Sequence, residues 1–387
     1  MSATSRHHVV FVGTRADLGP LGPVITALAA LPDASLTLIT GVAFDVDALR
    51  QALPDDVRDV DVLAVTTPIS GPLTPEEQVL HGCRLASGLA TSLAGRSVDA
   101  GVVLGDRWEL LHVVPALFAL GIPIVHLHGG EVTEGAMDDR IRHAVTKLAD
   151  VHCVASPDAA ARVRQLGEPD DRIVVTGAPG LDRYVEVAAL PVERLTEIVG
   201  TEVLRPLVLF TYHPVTVGEA DTHQVAEHSR QALEAALSFG GSVIATHPGM
   251  DRGREELLAV LDGFGGHPRL VVIEALGHHY PAVLASADVV VGNSSSGIIE
   301  AGAVGIPTVD IGIRQLGRER GPNVVHADDG EDNVHTAIAE ALAAAGRQDW
   351  PAANPYGDGR AAPRILDVVL GSDQRPRQKE FVDRRLA

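Results

Sequence analysis

Short runs of Val, Ile and Leu recur along this 387-residue chain with helix-length stretches between them, and that alternation restricts the fold more than any other feature. Strands that are apolar on both faces need helices on both faces, so the pattern predicts parallel, doubly wound sheets in an α/β fold. Strands are predicted at 9–13, 36–40, 60–65, 100–104, 123–127, 152–155 and 173–176, with the clearest helices at 75–94, 138–149 and 157–166. After Gly177-Ala178-Pro179-Gly180 and a helical connector near 192–199 the pattern restarts. Strands then fall at 207–211, 242–246, 270–273, 288–292, 308–311 and 324–326, and helices at 222–239, 252–261, 280–287 and 333–345. The chain is long for one core, so two domains are expected, followed by a last helix at 361–370. From Asp373 onward the sequence is polar, rich in Arg and Gln, and reads as loose or marginally helical.

Charge and composition exclude several classes of function. The formal net charge is −20, from 31 Lys and Arg against 51 Asp and Glu, without a basic cluster, so neither nucleic acid nor an anionic membrane is an expected partner. The most apolar long stretch, 110–127, is interrupted by His112, Pro115, Gly121, Pro123 and His126, and reads as helix, turn and strand instead of a membrane span. Residues 1–8 lack the apolar core of a signal peptide. Cys83 and Cys153 are too few for a disulfide framework, which fits a reducing cytoplasm. The histidines are scattered without metal-ligand spacing, and the first strand leads into Gly13-Thr14-Arg15-Ala16-Asp17-Leu18-Gly19 instead of G-x-G-x-x-G, so neither a metal nor a nicotinamide cofactor is expected. A nucleophile elbow and a Walker loop are absent from the sequence as well.

In open parallel sheets the ligand sits beyond the carboxyl ends of the strands, and those positions are polar here. The first half offers Arg15, Asp106, Arg107 and His128-Gly129-Gly130-Glu131; the second offers His213, His247, Gly292-Asn293-Ser294-Ser295-Ser296-Gly297 and Arg314. The stretch from Gly292 to Glu300 reads as strand, Gly/Ser turn and helix start, where unpaired N–H groups and the helix dipole favour a phosphate. Glu300, about one turn on, can hold a ribose diol. Each motif also admits an ordinary role: Ser294 as a plain N-cap, Arg15 pairing with a surface acid, Asp106 with Arg107 as a structural ion pair, His213 and His247 as loop histidines bound to backbone. The stretch from Glu131 to Asp139 gathers acids ahead of the basic helix that follows. Dipole complementarity accounts for Asp138 and Asp139 but leaves Glu131 and Glu134 available for acid–base chemistry.

Taken together, Gly13-Thr14-Arg15-Ala16-Asp17, residues 126–131 and 135–147, His213-Pro214-Val215-Thr216, residues 292–300 and Ile311-Gly312-Ile313-Arg314-Gln315-Leu316-Gly317-Arg318 resemble the hydrolysing UDP-N-acetylglucosamine 2-epimerases of the sialic-acid and legionaminic-acid pathway type. The similarity extends to Asn354-Pro355-Tyr356-Gly357-Asp358-Gly359. It implies the glycosyltransferase B fold: two Rossmann-like, doubly wound domains facing a cleft. By this resemblance 1–180 would carry the sugar-side catalytic residues and 181–360 would bind UDP, with 361–387 packing back on the first domain. It also implies a UDP-sugar substrate, no cofactor and a homodimer or homotetramer. The C2 proton is removed as UDP leaves C1, giving a 2-acetamidoglucal; water then adds at C1 as C2 is protonated from the other face. Ser294, Ser295, Glu300 and Arg314 match nucleotide-binding positions, with Ser296 and Gly297 in the same turn and Arg107 and His247 as further substrate contacts. Arg15 and His213 fit diphosphate contact and leaving-group stabilisation, and Asp106, Glu131 and Asp138 fit proton transfer or water activation. Some relatives use a Glu where His128 stands, which leaves that role here to Glu131 or Glu134.

Other readings on the same fold are a hydrolysing epimerase of UDP-N,N'-diacetylbacillosamine, a non-hydrolysing epimerase and a glycosyltransferase. A catalytically dead nucleotide-sugar sensor is a fourth. The acidic form of residues 131–139 argues against the non-hydrolysing enzyme, the lack of a basic or apolar membrane-facing patch against the transferase, and Arg15, Asp106, Glu131, Asp138 and His213 against the sensor.

Overall fold

The computed structural model describes residues 6–71, 73–134, 137–215, 221–249, 253–345, 353–376 and 378–384. Seven strands, β1 (Arg6–Phe11), β2 (Ala34–Thr40), β3 (Asp61–Ala64), β4 (Ala100–Leu104), β5 (Ile124–Leu127), β6 (Val151–Val154) and β7 (Ile173–Val175), form a parallel sheet in the order β3-β2-β1-β4-β5-β6-β7. Six more, β8 (Val208–Thr211), β9 (Val243–Thr246), β10 (Leu270–Ile273), β11 (Val289–Gly292), β12 (Thr308–Ile311) and β13 (Val324–Ala327), form a second parallel sheet in the order β10-β9-β8-β11-β12-β13. Alternate residues of one strand enter opposite cores: Val10 and Val12 pack with Leu21 and Ile25, whereas Val9 and Phe11 pack with Leu85 and Leu89. Each fully buried Leu or Ile contributes about 1.5–3 kcal/mol, and the two-sided pattern fixes helices on both faces. Strand order reverses between β1 and β4 and again between β8 and β11, the switch points beyond which open sheets bind ligands.

The chain divides into two compact units: Met1–Glu131, Asp138–Asp182 and Gly359–Ala387 make the first, and Val132–Met137 with Arg183–Asp358 make the second. The short segment that departs after Glu131 is held within the second unit, where Glu134 N–H donates to Leu316 O at 3.0 Å and Arg318 to Thr133 Oγ1 at 3.1 Å. The last helix, Ala361–Gly371, buries Ile365 and Val369 in the same core as Val10 and Ile25. Its start is capped from far away in sequence: both oxygens of Asp182 accept N–H groups, from Ala361 and Ala362, each at 2.7 Å.

Three local expectations change. The helix Arg15–Ala29, expected only as one of the helices between strands, runs through Pro20 and Pro23; it survives because Leu21, Val24, Ile25 and Leu28 are buried against the sheet. The helix start read at the end of the 292–300 stretch is a five-residue helix, Ser295–Ile299, followed by a 3-10 turn, Ala301–Val304. The tail expected to be loose is bound down. Lys379 Nζ reaches Glu168 at 2.7 Å, Val382 N–H donates to Gly167 O at 2.9 Å, and the Phe381 ring lies under Lys147 Nζ.

Glu168 is the anchor of that tail. It is fully buried and also meets Lys147 Nζ at 2.5 Å and His152 Nε2 at 3.0 Å. Burial alone would raise its carboxyl, but the bonds from His152, Lys147 and Lys379 outweigh burial and hold it at about 2. Because the folded value lies below the unfolded one, the stabilisation is complete above about pH 5 and is lost as pH falls toward about 2. Glu168→Gln is expected to cost about 3 kcal/mol at neutral pH, since it removes the buried charge that Lys379, Lys147 and His152 all bond to, and to flatten the loss of stability below pH 5; urea unfolding at pH 7 and pH 3.5 measures both.

Candidate functional site

In the first unit one buried cation joins the end of β4 to the turn after β5: the Asp106 carboxylate and the Glu131 main-chain carbonyl both accept from Arg142. Arg142 lies on the helix Asp138–Leu148, whose inward face is Ile141, Arg142, Val145 and Thr146, and it is 1% exposed. Its guanidinium donates to Asp106 Oδ2, to Glu131 O at 2.6 Å and to Asp139 Oδ1 at 3.5 Å. Removing a guanidinium from water costs several kcal/mol, so an Arg this deep requires such partners. Asp138 opens the same helix. Gly135 and Ala136 of this acidic stretch lie outside the described residues.

His128 follows β5 with φ of 62°, the one non-glycine residue in the left-handed region among those described. The turn through Gly129 and Gly130 brings Glu131 back onto it, with His128 Nδ1 2.5 Å from Glu131 Oε1. A Cβ at Gly130, whose φ is 78°, would lie 2.2 Å from Ala159 O, so no other residue fits there. His126, by contrast, is a core residue: Nε2 lies 2.8 Å from Gly105 O, and burial pushes the ring down to about 3.

The ion pair considered between Asp106 and Arg107 does not form. Asp106 turns to Arg142, while Arg107 Nε donates to Glu109 Oε1 at 2.8 Å. Glu109 is fully buried beside Asp17, whose Oδ2 accepts the N–H groups of Gly13 and Thr14 at 2.9 and 2.8 Å. Burial raises the Asp17 carboxyl to about 6, against the pull of Arg107. Arg15, just after β1, is exposed and makes no ion pair among the described residues.

In the second unit the hub is Asn293, which is 1% exposed. Its side chain accepts His213 N–H at 2.7 Å and donates to His213 O at 3.0 Å, while its own carbonyl accepts Arg314 Nη1 at 3.1 Å and Gln315 Nε2 at 3.0 Å. Arg314 Nε also reaches Pro214 O at 3.2 Å. His213 Nδ1 accepts Gly249 N–H at 2.9 Å, which leaves the proton of the neutral ring on Nε2. Burial, then the charge of Arg314, lowers this histidine to about 3. His247 starts the loop after β9, with its N–H on Ile273 O at 3.2 Å.

Gly292 must be glycine, because at φ of 142° a Cβ would lie 1.9 Å from Thr211 O. Beyond it Ser294 is the N-cap, accepting Ser296 N–H at 3.4 Å, and Gly297 packs on Thr308. The Ser295 hydroxyl makes no hydrogen bond among the described residues. Ser296 Oγ donates to Glu300 Oε2 at 2.5 Å and accepts from Tyr280 Oη at 2.5 Å. Burial raises the Glu300 carboxyl, opposed by Ser296 and the charge of Arg183. Among the described residues no group of three His, Cys, Asp or Glu side chains is placed to hold a metal, and no helix is long and apolar enough to cross a membrane.

Sequence reasoning passed over Arg142, Asn293 and Tyr280. Arg142 had a signal: it stands at helical spacing among Asp138, Ile141, Val145 and Thr146, on the apolar face where an unpaired Arg would not be tolerated. Asn293 sits inside the Gly/Ser turn, where Asn usually serves the turn itself.

Comparison with known proteins bears on this arrangement. The family profile described as UDP-N-acetylglucosamine 2-epimerase matches residues 78–370. A Legionella pneumophila protein named UDP-N,N'-diacetylbacillosamine 2-epimerase (hydrolyzing) is 31% identical over 371 residues, covering 94% of this chain and 95% of its own. A Neisseria meningitidis UDP-N-acetylglucosamine 2-epimerase is 29% identical, with 97% and 98% covered. Among solved structures, S. aureus MnaA, determined with UDP, superposes with a TM-score of 0.75 at 17% identity over 98% of this chain and 100% of that one. With 16% identity, a Neisseria meningitidis UDP-GlcNAc 2-epimerase bound to UDP-GlcNAc gives 0.73 over 94% and 99%. These likenesses place the two sheets in the glycosyltransferase B-like fold, and the profile covers most of the chain: the protein belongs to the UDP-N-acetylglucosamine 2-epimerase family.

Proposed function

We propose that the protein is a hydrolysing 2-epimerase of UDP-linked acetamido sugars, converting UDP-N-acetylglucosamine or a related sugar and water to UDP and the free C2 epimer, N-acetylmannosamine for the parent substrate. The observation that carries the reading is buried Arg142, which holds the Asp106 carboxylate and the main chain of Glu131 at the ends of β4 and β5, on the helix that Asp138 opens. The hydrolytic outcome is supported by the Legionella pneumophila relative, whose name specifies it. The same relative favours a second reading in which UDP-N,N'-diacetylbacillosamine is the substrate.

In this reading Asp106, Glu131 and Asp138 move the C2 protons and activate the water, and the second unit takes the nucleotide. Glu300 receives the ribose diol on the carboxylate that Ser296 and Tyr280 orient. As UDP departs, negative charge builds on its diphosphate, and preorganised donors stabilise it best. Ser294 and Ser295, Gly297 beside them, and Arg314, Arg15, Arg107 and His247 serve that contact, while the Ser296 hydroxyl stays on Glu300. His213, neutral with its proton on Nε2, donates without adding a charge. The same reading places the enzyme in a reducing cytoplasm as a homodimer or homotetramer.

Incubation with UDP-N-acetylglucosamine and with UDP-diacetamido sugars in deuterated water is expected to release UDP and a free sugar carrying deuterium at C2. An intact UDP-sugar product, or no turnover with any of them, contradicts the proposal. Asp138→Asn should lower turnover by about 100-fold or more while UDP affinity stays within a few-fold. Weak UDP binding in that variant would make Asp138 structural.

A further inference from the structure

The first unit contains a histidine that the assignments above leave without a task. His128 is held in a left-handed conformation that a side chain with a Cβ normally avoids, with φ of 62°. Such conformations persist where the surroundings impose them, and they cluster at functional positions. The surroundings here are specific: His128 N–H continues the sheet by donating to Cys153 O at 3.0 Å, and the two glycines that follow return Glu131 to Nδ1 at 2.5 Å. Glu131 is an acceptor, so Nδ1 carries the proton and the neutral ring presents the lone pair of Nε2. Nε2 makes no hydrogen bond among the described residues, and the side chain is 13% exposed, so this nitrogen is reachable.

The neighbouring acids are less suited to take a proton. Asp106 is paired with a buried guanidinium, so its Oδ2 is occupied. Glu131 has a side chain 6% exposed and spends Oε1 on His128. A base oriented by a carboxylate on its far nitrogen is the arrangement that general-base histidines use.

We infer that His128 is a catalytic residue whose Nε2 removes the C2 proton of the sugar, and that Glu131 is a positioning residue acting through it. In the step, the C2–H bond breaks with its proton going to Nε2, its electron pair forms C1=C2, and the C1–O bond breaks with its pair leaving on UDP. The inference rests on the epimerase reading given above and reassigns one step within it: the first proton transfer passes from Glu131 to His128, and Asp106 and Asp138 keep the return of a proton to C2 and the activation of water.

The left-handed backbone makes the test clean, because Gly and Asn both suit a positive φ. His128→Gly and His128→Asn are therefore expected to melt no lower than wild type by more than a few degrees and to bind UDP within about three-fold, yet to release UDP about 100-fold more slowly or worse. Added imidazole should restore part of the rate in His128→Gly. Glu131→Gln should lower kcat by about ten-fold at unchanged KM in the wild-type background and cost nothing further in His128→Gly. A folded, UDP-binding His128→Gly or His128→Asn that releases UDP within about ten-fold of wild type overturns the inference and leaves the epimerase reading standing. A further loss from Glu131→Gln in the His128→Gly background overturns the positioning role. If wild type itself releases no UDP from any UDP-acetamido sugar, the epimerase reading fails and takes the inference with it.

Discussion

The ion pair between Arg142 and Asp106 is the interaction that holds the strand ends of the first unit together. A guanidinium 1% exposed has given up its hydration, and Asp106, the Glu131 carbonyl and Asp139 replace it. Those partners come from the end of β4, the turn after β5 and the first turn of the next helix. One buried charge thus ties the end of β4, 36 residues away in sequence, to the turn after β5 and to the helix that carries the charge. Breaking such a pair costs about 3–5 kcal/mol, because the survivor is left charged and dry. Replacing both partners by apolar groups need not destabilise the fold, so the arrangement fits a site better than a scaffold.

The second unit solves a similar problem without a charge pair. Asn293 uses its side chain on both backbone groups of His213 and its carbonyl on Arg314 and Gln315, so loops from β8, β11 and β12 share one amide. The consequence is a histidine with a fixed tautomer beside an arginine whose guanidinium is aimed by main-chain acceptors. Both side chains are thus fixed by hydrogen bonds within the second unit.

Much of this was legible in sequence because the sheets are buried on both faces. All thirteen strands appear as apolar runs, and the helix Val192–Val199 lies where a helical connector is expected near 192–199. The strand-end rule then selected Asp106, Glu131, His213 and Ser294 without any tertiary information. What stayed hidden depends on contacts between distant residues. The helix Arg15–Ala29 contradicts local propensity with two prolines and is rescued by burial, and the tail looks solvated until Lys379 finds Glu168. Likewise Arg107 follows Asp106 in sequence but turns to Glu109, since a strand-end turn sends successive side chains in different directions.

The claim that Arg142 and Asp106 act as one unit is tested most directly by a double-mutant cycle read as kcat/KM for UDP release. Asp106→Asn, Arg142→Met and the double variant are measured with UDP binding as the control for folding. If the pair is a single device, the double variant is no worse than the poorer single one, within about three-fold. Losses that multiply would mean that the two residues act independently, and the account of the first unit as built around one buried pair would be wrong.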